Sequence, residues 1–147
     1  MTMLSRYGLY FAWLVALGAT AGSLYFSEVL LFVPCSLCWW QRIIMYPQVL
    51  LLGLGAYMDD RTVVRYSLPL AVIGMGVSAY HYLGQKFPQF MPLGACRGGV
   101  PCDMQYINWL GFMTIPFLAF VAFTLLTVFL VAVLAGGTGS ARQRSAA

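Results

Sequence analysis

The chain has 147 residues, of which 61% are hydrophobic and only 8% charged, with a formal net charge of +4. A soluble domain carries about 25% charged residues, so this composition excludes one and fits an integral membrane protein with little outside the bilayer. The positive charge does not point to nucleic acid, because the basic residues stand at segment ends rather than on one patch.

The first apolar segment covers residues 7–26, and about 20 such residues cross a bilayer as a helix. Apolar residues continue through Val29 to Val33, too far for the core of a cleaved leader, so the segment reads as a retained span. Gly18 and Gly22 have the spacing of a close helix contact, although two incidental glycines in a glycine-rich chain would look the same. Glu28 marks the exit from the apolar region, and Pro34 suits a turn or helix entry.

Pro34-Cys35-Ser36-Leu37-Cys38-Trp39-Trp40-Gln41-Arg42 opens the second segment, which predicts a helix over residues 37–58. Helical periodicity puts Cys38, Gln41, Arg42 and Met45 on one face. Trp39, Trp40 and Tyr46 fit an interfacial belt, and Pro47 predicts a kink. A polar turn, Asp59-Asp60-Arg61-Thr62, leads to a third span over residues 63–82 that ends in Tyr80-His81-Tyr82. Residues 84–108 form the one long polar connection, carrying three prolines, four glycines and the second cysteine pair, Cys96 and Cys102. Loops of that length are usually functional. A fourth span is expected over residues 109–134, followed by a disordered tail over 136–147. The reading is one all-α domain, residues 1–135, built as a four-transmembrane-helix bundle.

With the N-terminus in the cytoplasm, Arg6, Arg61, Arg65, Arg142 and Arg144 face inward and only Lys86 and Arg97 face outward. The positive-inside rule therefore predicts N-in, C-in. Both cysteine pairs then lie on the outer, oxidising side, where disulfides persist.

Four cysteines on one face can bind metal, brace the chain or exchange electrons. Cys-x-x-Cys is a common zinc half-site, but Cys96-x5-Cys102 is a poor one, and no metal is expected. Electron exchange explains more of the sequence. The first pair closes a small ring that reopens readily, and the glycine-rich residues 94–101 offer the second pair a mobile, exposed mount. No haem-attachment histidine or nucleotide-binding glycine motif is present, which leaves an acceptor dissolved in the membrane, a quinone. Arg42 would donate to a quinone carbonyl and favour the Cys38 thiolate, or simply snorkel to the interface. Gln41 and Met45 share its face, although Met45, like Met75 and Met113, also reads as packing. His81, the one histidine, is either an interfacial side chain or a donor to the reduced quinone.

The motifs around Cys35 and Cys38, with Met45-Tyr46-Pro47, Gly99-Val100-Pro101-Cys102 and Tyr106-Ile107-Asn108-Trp109-Leu110-Gly111-Phe112, resemble the disulfide bond formation protein B (DsbB) family, nearest its short BdbC-type branch. The resemblance implies a four-helix protein of the bacterial cell membrane. Such a protein oxidises a thioredoxin-like extracytoplasmic partner (DsbA- or BdbD-like) and passes electrons to ubiquinone or menaquinone. It further implies that Cys96 meets the partner, that Cys102 attacks Cys35, and that Cys38 ends nearest the quinone. The short Cys96–Cys102 spacing departs from the DsbB branch. A scaffold protein braced by outer disulfides, and a vitamin K epoxide reductase-like enzyme, are the rival readings.

Overall fold

The computed structural model describes residues 3–87, 89, 101–102, 105–108 and 110–144, with side chains described within 7–136 of that set. Four helices account for most of it: α1 (Met3–Leu24), α2 (Ser36–Met58), α3 (Val63–Lys86) and α4 (Ile115–Arg144). Each packs on the next and α4 closes back on α1, so the four form a ring around one core.

The packing is inside-out relative to a soluble bundle. Leu14, Leu50, Leu54, Tyr57 and Val128 are exposed, whereas Gln41, Gln48, Ser67, Ser78 and His81 are buried. A lipid-facing surface has no use for polar groups, and those inside must find partners. Ser67 on α3 donates to Gln48 on α2 over 2.7 Å, and Ser78 donates to the Gly74 carbonyl over 2.7 Å. Between α3 and α4 the contact is close because Gly74 has no side chain. A Cβ there would lie 2.3 Å from the Phe123 ring, which is fully buried.

Three helices are long and apolar enough to cross a membrane: Tyr7–Val29, Val63–Lys86 and Ile115–Gly136. α2 is 23 residues long, sufficient in length, but Gln41, Arg42, Pro47 and Gln48 lower its hydropathy. Two of these, Gln41 and Arg42, help build the site described below.

Several boundaries differ from those read in the sequence. α1 passes directly into a π-helical turn, Tyr25–Val29. α3 continues to Lys86 rather than ending at residue 82, which puts Gly84 and Gln85 in a helix and buries both. α4 begins at Ile115, not 109. Leu110 and Gly111 have φ of 55° and 78°, a left-handed turn that no helix can pass through. Pro116 then fits the first helical turn, where its missing N–H is not needed, and the Thr114 carbonyl accepts from the Leu118 N–H over 3.1 Å. Helical backbone extends through Arg144, over part of the stretch expected to be unstructured. Ala141, Arg142, Gln143 and Arg144 are good helix formers, whereas Gly136, Gly137 and Gly139 before them each disfavour a helix by about 1 kcal/mol. Of the loop over 84–108, residues 88, 90–100, 103 and 104 lie outside the described set, Cys96 and Arg97 among them.

The α2–α3 turn is fixed by local bonds. Asp59 adopts a left-handed φ of 51°, the Asp60 N–H donates to the Gly55 carbonyl over 2.9 Å, and the Thr62 N–H donates to Asp60 Oδ1 over 2.8 Å. That last bond holds the Asp60 carboxyl below its ordinary pKa.

Candidate redox site

Cys35 is the N-cap of α2, with φ −74° and ψ 173°, and its side chain makes no capping bond. Its sulfur is turned instead toward the bundle, where it is 6% exposed. Sγ of Cys35 lies 3.2 Å from Sγ of Cys38 and 3.6 Å from Nε2 of His81. Both thiols are free. A hydrogen bond from Cys38 is the main influence on the Cys35 thiol. Together with the bond from His81 it outweighs the cost of burial and holds Cys35 well below the usual thiol pKa. The N-terminus of α2 adds a favourable dipole for an anion at that point.

His81 is 1% exposed. It joins three segments that are far apart in sequence. Its Nδ1 lies 3.1 Å from Nε2 of Gln41 on α2, and its Nε2 lies 3.3 Å from the carbonyl of Cys102. With the Gln41 amide donating to Nδ1, the imidazole carries its proton on Nε2 and can donate to the Cys35 sulfur or to that carbonyl; this tautomer follows from the orientation assigned to the amide. Gln85 also donates to the Cys102 carbonyl, over 3.5 Å. Cys102 is disulfide-bonded and 3% exposed. The exposed mount expected for the second pair is therefore not seen at Cys102, which is packed against α3; Cys96 lies outside the described residues. Tyr106 ties the segment after Cys102 to the chain before Cys35, stacking on Phe32 at 4.7 Å and donating to the Val33 carbonyl over 3.3 Å.

On the other side of Cys38 lies a cavity of about 450 Å³ between α1, α2 and α4. Cys38, Gln41, Arg42, Met45 and Tyr46 line it from α2, as do Gly18, Gly22, Ser23 and Ser27 from the α1 side. Its wall is mostly apolar, with the polar groups gathered from α2 and the end of α1. Arg42 donates through Nη2 to the Ser23 carbonyl over 3.1 Å and to the Ser27 hydroxyl, and its guanidinium sits 5.6 Å from the centre of the Trp39 ring. Tyr46 donates to the Ser23 hydroxyl over 3.4 Å. The Arg42 cation is thereby paired with backbone and hydroxyl oxygens rather than left bare.

The structure brings Cys38, Gln41, Arg42 and Met45 together on one wall, as the helical spacing required. His81 is not on that wall. It lies on the far side of Cys38, with Nε2 3.6 Å from the Cys35 sulfur, and does not line the cavity. Gln41, like Cys38, reaches both sides, lining the cavity and bonding His81. Among the described residues, nothing lies within 4 Å of a Cβ built on Gly18 or Gly22, and both line the cavity. Ser23, Ser27 and Gln85 were not singled out by sequence. The i, i+4 spacing of the two serines at the end of the first apolar segment was the available signal.

A dithiol next to a buried histidine, backed by an apolar cavity with an arginine at its edge, is an arrangement for thiol–disulfide chemistry. The family model described as "Disulfide bond formation protein DsbB" matches residues 5–134. The chain belongs to the DsbB family. Disulfide bond formation protein C of Bacillus subtilis is 56% identical over 122 residues, covering 83% of this chain and 88% of that one. A probable disulfide formation protein C 1 of Bacillus anthracis is 52% identical over 123 residues, covering 84% and 88%. A probable disulfide formation protein of Coxiella burnetii is 47% identical over 130 residues, covering 88% of each. No solved structure matches the chain. As a DsbB-family member the chain is a membrane disulfide oxidoreductase that works with a thiol–disulfide partner protein. That sets aside the scaffold and vitamin K epoxide reductase-like readings.

The lowered Cys35 pKa has a measurable consequence. In reduced protein carrying Cys96→Ser and Cys102→Ser, alkylation of Cys35 should remain fast at pH 6, because a thiolate persists above its own pKa and a free cysteine titrates near ~8.5. His81→Ala removes one donor to the thiolate, so the pH at which alkylation falls to half should move up. Identical pH profiles with and without His81 would show that the imidazole does not hold the thiolate.

Proposed function

We propose that the chain takes electrons from a DsbA- or BdbD-like dithiol protein outside the cytoplasm and delivers them to a membrane quinone bound in the cavity beside Cys38. The observation that carries this reading is the position of Cys38, whose side chain borders both the Cys35–His81 contact and the 450 Å³ cavity. Apolar pockets of about 300–1,000 Å³ with a few fixed polar groups are typical small-molecule sites, and an isoprenoid quinone headgroup matches that description.

The steps conserve electrons as follows. The partner's two thiols become a disulfide as the Cys96–Cys102 disulfide becomes two thiols; the role of Cys96 rests on the family resemblance. Cys102 then attacks the sulfur of Cys35 in the Cys35–Cys38 disulfide, and Cys38 leaves as thiolate. Cys96 resolves the Cys35–Cys102 bond, so the second pair is again a disulfide and the first pair is reduced. Proximity supports this route, since the Cys102 carbonyl and the Cys35 sulfur share one imidazole. A quinone in the cavity would accept the two electrons and two protons released when Cys35 and Cys38 close again.

The chain's own residues prepare that last stage. His81 steadies Cys35 as a thiolate and holds a proton at Nε2. Arg42 has five donors, and its contacts to α1 engage only Nη2. The remaining guanidinium donors and the Gln41 amide supply the polar end of the cavity. Met45 contributes apolar wall, and Gly18 and Gly22 leave room for a flat ring.

The same proposal includes α2 as a fourth span, a single four-helix membrane domain, and an N-in, C-in orientation in the bacterial inner membrane. The arginine asymmetry and the chemistry of disulfides support it. In a cysteine-free background, a cysteine at Gln89 should react with an impermeant reagent in intact cells and one at Thr62 should not. Reaction at Thr62 alone would invert the orientation.

Arg42 and Gly22 test the cavity. Arg42→Ala removes a charged donor worth about 1.5–3 kcal/mol, so the apparent quinone requirement should rise roughly 10- to 100-fold, with Arg42→Lys intermediate. Gly22→Leu fills the cavity without touching a donor and should raise the same requirement. Oxidation of the partner by protein with both disulfides preformed should proceed at normal partner affinity in each. An unchanged quinone requirement in both Arg42→Ala and Gly22→Leu would remove the quinone from this cavity.

A further inference from the structure

We propose that the reduced Cys35–Cys38 pair together with His81 forms a binding site for a borderline-soft divalent cation, with Zn²⁺ the type case, and that the disulfide form of the pair cannot bind it. The three ligand atoms, two sulfurs and one imidazole nitrogen, all lie within 4.8 Å of one another. They come from the start of α2 and the end of α3, so the bundle itself holds them together.

The geometry suits a tetrahedral ion. Zinc bonds of about 2.3 Å to sulfur and about 2.1 Å to nitrogen place a sulfur about 3.6 Å from the nitrogen and two sulfurs about 3.8 Å apart. Cys35 Sγ is 3.6 Å from His81 Nε2. The two sulfurs are 3.2 Å apart and all three ligand atoms lie within 4.8 Å of one another, so binding requires the Cys38 sulfur to shift outward from Cys35 and toward the imidazole. A Cys-x-x-Cys pair alone is only a half-site. The histidine makes it a three-ligand site with a fourth position left for water or an external ligand.

Gln41 supplies the orienting contact such a histidine needs. Binding through Nε2 requires the proton on Nδ1, and Nδ1 is 3.1 Å from the Gln41 amide. Turned end for end, that amide accepts the Nδ1 proton through its oxygen and fixes the ring for coordination. Charge also balances. Cys35 is already a thiolate, so one proton leaves, from Cys38, as the divalent ion enters; no electrons move, and two thiolates with one divalent ion leave the buried site neutral. While the ion is held, the sulfurs cannot close to a disulfide, so zinc would lock the protein in its reduced form. The inference concerns the reduced dithiol alone and does not depend on where its electrons go.

The test uses the full chain in detergent with Cys96→Ser and Cys102→Ser, so that only the first pair can contribute thiolates. Reduced anaerobically, it should take up one Zn²⁺ per chain against a competing chelator. Co²⁺ in place of Zn²⁺ should give thiolate-to-metal bands and the intense visible bands of a tetrahedral ion. The same protein with Cys35 and Cys38 oxidised should show neither. His81→Ala should weaken Zn²⁺ binding roughly 100-fold, the share of one ligand in a four-ligand zinc site. His81→Cys should restore it with a Co²⁺ spectrum shifted toward three sulfurs. Lack of uptake by reduced protein, equal uptake by oxidised protein, or undiminished binding in a folded His81→Ala would each overturn the proposal. Should His81→Ala fail to fold, the Co²⁺ spectrum of the protein with His81 intact still decides, since a spectrum lacking tetrahedral bands excludes the site.

Discussion

One buried imidazole holds the functional end of this bundle together. His81 meets the Cys35 sulfur, the Gln41 amide and the Cys102 carbonyl, and so fixes α2, α3 and the chain around Cys102 to one another. A polar side chain in that position is costly unless it is satisfied. Its partners satisfy it, and in doing so they set the distance between the two cysteine-bearing segments. The low Cys35 pKa follows from the same contacts, because the imidazole and the Cys38 thiol both favour a charge that burial alone would oppose.

Cys38 separates two environments. Toward Cys35 and His81 the surroundings are tight and polar, suited to exchange between sulfurs. Toward α1 and α4 they open into an apolar cavity whose polar groups cluster near Gln41 and Arg42. The cavity exists because the bundle leaves small residues, Gly18 and Gly22, where tight packing would otherwise require bulk, whereas Gly74 lets α3 and α4 close up against Phe123. The two kinds of glycine look alike in sequence. Only the facing residue distinguishes a contact from a void.

Much of the site was legible in the chain itself. The periodicity that puts Cys38, Gln41, Arg42 and Met45 on one wall is a property of any α-helix, so it survived folding unchanged. What the sequence did not reveal depends on contacts between helices. His81 reads as an interfacial residue among tyrosines, and only the packing of α3 on α2 turns it toward Cys35. The burial of Cys102 could not be inferred from a loop rich in glycine and proline, since α3 runs one turn further than expected and brings Gln85 beneath it. Arg42 stands on the wall that helical spacing predicts, yet its anchors, Ser23 at the end of α1 and Ser27 in the π-helical turn, are ordinary residues until the fold presents them. The late start of α4 has a local cause, the left-handed Leu110-Gly111 turn, which the apolar character of the segment obscured.

The central claim is that the Cys35–Cys38 dithiol gives its electrons to a quinone through Cys38. Reduced, purified protein carrying Cys96→Ser and Cys102→Ser, in which the new disulfide cannot pass to the second pair, can be mixed without oxygen with one equivalent of quinone, quenched in acid, and both quinol and remaining thiols counted by site. The account expects one quinol per chain, formed as the Cys35 and Cys38 thiols disappear together. Quinone left unreduced while both thiols persist, or quinol formed with Cys35 and Cys38 still free, would contradict it.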